Sequence, residues 1–145
     1  MKWGYMKYRT ILCEDNECIR KILGFILQER GHEVFSYKDA KDCPLSYCSK
    51  CKGNHINPCT DIIIYDVLIP KVYGLGFIEK LKKNGCGIKN IALVSDNWAE
   101  KDISKAKGIG CKVFHKPVAP EELFEWIDSC EKNIFPQRVL LKKLP

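Results

Sequence analysis

The sequence predicts an α/β protein built on a parallel sheet with helices packed against it. Two observations carry this reading. Short apolar runs alternate with stretches of helical periodicity about five times along the chain, and the connections between most of them are short. The run "IIIYD" at 62–66 is apolar at nearly every position, as a strand covered on both faces must be. The 145 residues suit one domain with a sizeable core.

Taken in order, "YRTILCED" is a first strand ending in two acids. "NECIRKILGFILQERG" follows as a helix, with Ile19, Ile22, Leu23, Ile26 and Leu27 at helical spacing and Gly31 as its stop. "HEVFSY" is the second strand, opened by His32. A stretch rich in Cys, Lys, Asn and Pro, with little helical periodicity, then runs over 37–60. "DIIIYD" is the third strand, and "GLGFIEKLKKNG" is a helix with Leu75, Phe77, Ile78 and Leu81 on one face. "NIALVS", "WAEKDISKAKGIG" and "CKVFHK" are strand, helix and strand. "APEELFEWIDSCEKNI" is the last helix, with Pro120 in its first turn and Leu123, Phe124, Trp126 and Ile127 on its apolar side. Residues 133–145 read as a tail.

The composition, 46% hydrophobic and 29% charged, is that of an ordinary globular protein. No stretch reaches the roughly 20 apolar residues of a membrane span, and no signal-peptide core follows the basic N-terminus. A cytoplasmic protein without membrane contact is expected. The net charge of +6 is scattered, with no basic stripe or interleaved aromatic motif, so direct DNA binding is not expected. Nine cysteines in such a compartment would be mostly reduced.

In sheets of this kind ligands bind beyond the carboxyl ends of the strands. Those ends carry Glu14 and Asp15, Asp66, Ser95 and Lys116. Three clustered carboxylates repel one another and raise one another's pKa, and a divalent cation relieves that. Oxygen ligands with positions open to water and phosphate suit Mg2+. A lysine and a serine beside them can neutralise and hold a phosphoryl group, which is most of what phosphoryl transfer needs.

The motifs "CEDN", "IIIYDVLIPKVYGLGFIEKL", "ALVSD" and "VFHKP", in that order, resemble the receiver domain of bacterial two-component response regulators, over residues 8–132. The resemblance implies a CheY-like, flavodoxin-like doubly wound sheet of five parallel strands in the order 2-1-3-4-5. It implies that Asp66 accepts a phosphoryl group from a histidine kinase or phosphotransfer protein and that a downstream protein reads the result. Glu14, Asp15, Asp66 and the backbone carbonyl of Leu68 would hold Mg2+. Ser95 and Lys116 would contact the phosphoryl group, and Pro70 and Gly74 would shape the loop after Asp66. Lys116-Pro117 falls where a cis peptide is frequent. Such a domain catalyses only its own phosphorylation and dephosphorylation, so no classical enzyme is expected.

The sequence departs from that pattern in places. Val113 stands where an aromatic switch residue is common, and Phe114 lies one residue late, on the opposite face of the strand. Asp96 follows Ser95 where a small residue is usual; it either caps the next helix or puts negative charge at the site's mouth. The family's second helix is replaced by "CPLSYCSKCKGNHINPC", in which Cys43, Cys48, Cys51 and Cys59 have the spacing C-x4-C-x2-C-x7-C. Structural zinc, disulfides and free thiols all remain open for them. Redox catalysis by Cys48 and Cys51 is disfavoured, because the pair sits mid-loop and not at a helix start. A cysteine-rich metal- or redox-sensing module on a scaffold that needs no phosphate is the alternative reading.

Overall fold

The computed structural model describes residues 8–47, 58–66, 71–95 and 99–140. Strands Tyr8–Glu14 (β1), His32–Tyr37 (β2), Ile62–Asp66 (β3), Asn90–Ser95 (β4) and Lys112–His115 (β5) form one parallel sheet in the order β2-β1-β3-β4-β5. Helices Glu17–Glu29 (α1), Lys71–Lys83 (α2), Glu100–Gly108 (α3) and Pro120–Asn133 (α4) cover it. Class and strand order are those expected.

Alternation along the strands sorts the core into two layers. Ile11, Cys13, Ile63, Tyr65, Ile91 and Leu93 face one way, against Leu75, Phe77, Ile78 and Leu81 of α2 and Ala106 of α3. Leu12, Ile62, Ile64, Ala92, Val94 and Phe114 face the other, against Leu27 of α1 and Leu123, Ile127 and Cys130 of α4. Phe114 is buried on this second face, edge-on to Trp126 with ring centroids 6.0 Å apart, while Val113 packs on the first. The strand parity that makes Phe114 a poor substitute for an aromatic at 113 is therefore present in the fold.

Local signals set the helix ends. The Asn16 side chain accepts from the Ile19 amide at 3.0 Å and caps α1. Beyond α1 the chain turns at Gly31 with φ +91°, a conformation that favours glycine. Pro120 opens α4 at a position where its missing N–H costs nothing.

One expected feature is present and three others depart from the pattern read in the sequence. As expected, the second helix of α/β order is absent among the described residues. Two 3-10 turns, Ala40–Asp42 and Pro44–Tyr47, stand in its place, and Ala40, Cys43, Leu45 and Cys59 fill the first core layer where that helix would pack. Next, α2 begins at Lys71, before the apolar periodicity starts. Of the α1 residues read at helical spacing only Leu27 is fully buried; Ile19 and Ile22 stay 44% and 59% exposed, and Phe25, outside that set, is 62% exposed.

The third departure is the start of the tail, which returns to the sheet. Arg138 donates to Asp61, just before β3, with Nε 2.6 Å from Oδ1 and Nη2 2.5 Å from Oδ2. The Arg9 amide donates to the same carboxylate at 2.9 Å, and Arg9 Nη1 donates to the Cys59 carbonyl at 2.8 Å. Nearby, buried His32 bridges Thr10 Oγ1 and Glu131 Oε2, at 2.7 Å each, and so links β1 and β2 to α4.

Candidate functional site

The β1–β3 register places Glu14 opposite Asp66 at the carboxyl edge of the sheet. These two strands flank the point where strand order reverses, which is where a doubly wound sheet opens a crevice. Asp15 follows β1 directly and is half-buried. Ser95 ends β4 in register with His115, so Lys116 emerges one residue beyond that pair. The Lys116-Pro117 peptide is cis, as the resemblance implied. His115 is exposed.

Lys116 Nζ lies 2.7 Å from Asp66 Oδ1 as an ion pair, although Oδ1 makes no hydrogen bond of acceptable angle. Burial alone would lower the Lys116 pKa, but pairing with Asp66 and the fields of Glu14 and Asp15 raise it, so the lysine is held charged. Glu14 is 1% exposed. Its Oε2 accepts from the Asn16 amide at 3.1 Å, its Oε1 has no hydrogen-bond partner, and its backbone carbonyl accepts from Arg20 Nη1 at 2.8 Å. Burial, opposed by the Asn16 amide and reinforced by Asp66 and Asp15, pushes the Glu14 carboxyl up to about 8. A buried carboxylate with an orphaned oxygen, near two others, offers the kind of oxygen donor a hard divalent cation takes, although these three side chains do not close on one point as a metal-binding group.

Of the residues expected at the site, the structure gathers Glu14, Asp15, Asp66 and Lys116 and brings the backbone of Ser95 to the same edge. Leu68, Pro70 and Asp96 lie outside the described residues, as do Cys48 and Cys51. Cys43 and Cys59 are both fully buried in the first core layer. Among the described residues no group of three or more metal-binding side chains assembles. The hold of Arg20 on Glu14 was not foreseen; its one sequence signal is an arginine one helical turn after the Asn16 cap.

A groove of about 620 Å³ opens from the site between α1 and α4. Ile19, Ile22, Leu23, Leu123 and Phe124 line it, with Asp66 and Lys116 at its end.

Comparison with known proteins agrees with the fold. The response regulator receiver domain family matches residues 10–128. The chain belongs to that family. Among relatives, the uncharacterized transcriptional regulatory protein YbdJ of Bacillus subtilis is 35% identical over 118 residues, which are 80% of this chain and 47% of YbdJ. The chemotaxis protein CheY of Treponema pallidum is 27% identical over 126 residues, 86% of this chain and 83% of that one. The phosphate regulon regulator PhoB of Escherichia coli is 26% identical over 138 residues, 92% of this chain and 56% of PhoB. The chain thus spans about half the length of the transcriptional regulators it matches. A CheY-like receiver domain from Methanospirillum hungatei superposes with a TM-score of 0.66 at 22% identity, over 88% of this chain and 98% of that one. CheY4 of Vibrio cholerae gives a TM-score of 0.62 at 22% identity, over 85% and 98%. Receiver domains are the regulatory, phosphorelay components of two-component systems, and this chain is one of them. No helix among the described residues is long and apolar enough to cross a membrane.

Proposed function

We propose that this receiver domain takes a phosphoryl group onto Asp66 from the phosphohistidine of a sensor histidine kinase or phosphotransfer protein, and signals by protein contact. One observation carries the reading: Asp66 meets both the Lys116 ammonium, at 2.7 Å, and the register-paired Glu14 at the switch point of the sheet. In the transfer an Asp66 carboxylate oxygen attacks phosphorus and a P–O bond forms. The P–N bond breaks, and the imidazole leaves with its electron pair and is protonated by solvent. Lys116 neutralises the acyl phosphate that results, and its charged state suits it to that role. Ser95, which ends the adjoining strand, would donate to a phosphoryl oxygen. Glu14, Asp15 and Asp66, with the Leu68 carbonyl, would hold Mg2+, which supplies charge neutralisation when bound. The exposed apolar side chains of Ile19, Ile22 and Phe25 beside the groove give the donor protein a surface to rest on.

The test is incubation with acetyl phosphate, with Mg2+ or with a chelator, followed by intact mass. Gain of one phosphoryl group that requires Mg2+ and is removed by hydroxylamine supports an acyl phosphate. Gain that survives chelation, or resists hydroxylamine, contradicts it.

A further inference from the structure

We propose that Arg20 is a positioning residue of this site, holding the β1–α1 turn and with it the peptide that joins Glu14 to Asp15; the inference rests on the phosphoacceptor reading above. Arg20 is half-buried on the first turns of α1 and donates from Nη1 to the Glu14 backbone carbonyl at 2.8 Å. Its charge also acts on exposed Glu17, but the group its Nη1 donates to is this neutral carbonyl. Glu14 is thereby gripped twice, at its carbonyl by Arg20 and at Oε2 by the Asn16 amide at 3.1 Å. Asn16 is in turn fixed by capping Ile19, and the Arg20 amide donates to the Asn16 carbonyl at 2.9 Å. The turn is closed on itself, and the single atom of the Glu14 carboxylate left without a partner is Oε1.

The consequence follows from covalent geometry. The Glu14 carbonyl belongs to the peptide plane that joins Glu14 to Asp15. Releasing it frees that plane to rotate and swings the Asp15 carboxylate relative to Glu14 and Asp66. A planar guanidinium on a helix loses little freedom in making such a bond. Partners that orient ligands from behind are worth about tenfold or more in metal affinity.

The experiment uses the full chain with Arg20→Ala and Arg20→Lys. Mg2+ is titrated against the thermal-unfolding midpoint and, separately, against the initial rate of phosphoryl gain from acetyl phosphate. Arg20→Ala should need about tenfold more Mg2+ for half of either effect. Arg20→Lys, which keeps one donor in reach of the carbonyl, should stay within about threefold of wild type. A merely structural arginine would lower the midpoint without Mg2+ and leave both half-saturating concentrations unchanged, which overturns the proposal. So does an Arg20→Lys protein as impaired as Arg20→Ala. A wild type that responds to Mg2+ in neither readout removes the phosphoacceptor reading itself, and the clamp with it.

Discussion

At the residue level the site is a balance of charge. Lys116 offsets the crowding of Glu14, Asp15 and Asp66, so Lys116→Ala should slow phosphoryl gain from acetyl phosphate at least about tenfold, a barrier increase of about 1.4 kcal/mol. Initial rates by intact mass check this, and an unchanged rate would contradict the role. His32 gives a separate, pH-dependent expectation. Burial holds its imidazole below the ordinary value, although Glu131 pulls the other way. The neutral ring is favoured in the fold, so its contribution to stability is complete above the unfolded value near 6.5 and is lost as pH falls toward the lower folded value. Denaturant unfolding should therefore show wild type losing stability as pH falls below the unfolded value near 6.5, with that part missing in His32→Gln. The acidic residues and Lys116 were legible in the sequence because strand ends are legible and each charge stands at one. The Thr10–His32–Glu131 bridge was not, because it joins residues about a hundred positions apart that carry no shared motif.

Among the elements, the C-terminal segment differs most from its sequence. A lone arginine in a charged tail carries no signal of burial, yet Arg138 and Asp61 are 10% and 2% exposed at their side chains. Losing one partner leaves a buried charge uncompensated. Arg138→Ala should destabilise the protein by about 3 kcal/mol, lowering the thermal midpoint by roughly 10 °C. Calorimetry on the full chain measures this, and a shift of under about 2 °C would mean the pair is solvated in solution. The replaced second helix was legible for the converse reason: "KDAKDCPLSYC" has no helical period to bury, and Pro44 lacks an N–H. What the composition could not give is that Cys43 and Cys59 fill the core. The outward stripe on α1 was missed because Ile19 and Ile22 fit a helical period that does not tell a core from a groove.

For the molecule as a whole, the fold places its orphaned carboxylate at the switch point of the sheet, where the strand order 2-1-3-4-5 opens it to a ligand. Mg2+ should stabilise the entire domain by mass action, about 2.7 kcal/mol at a hundred times its dissociation constant. Asp15→Ala should lose more of this than Glu14→Ala if Asp15 is the direct ligand that the resemblance implies; equal midpoints for Asp15→Ala and wild type in Mg2+ would refute that. The most direct measurement compares wild type with Asp66→Asn. Both are incubated with acetyl phosphate and Mg2+, and intact mass is read over time alongside the circular dichroism of each protein. Wild type is predicted to gain one phosphoryl group and Asp66→Asn none, with the two spectra the same. A folded Asp66→Asn protein that gains a phosphoryl group at the wild-type rate would contradict the account.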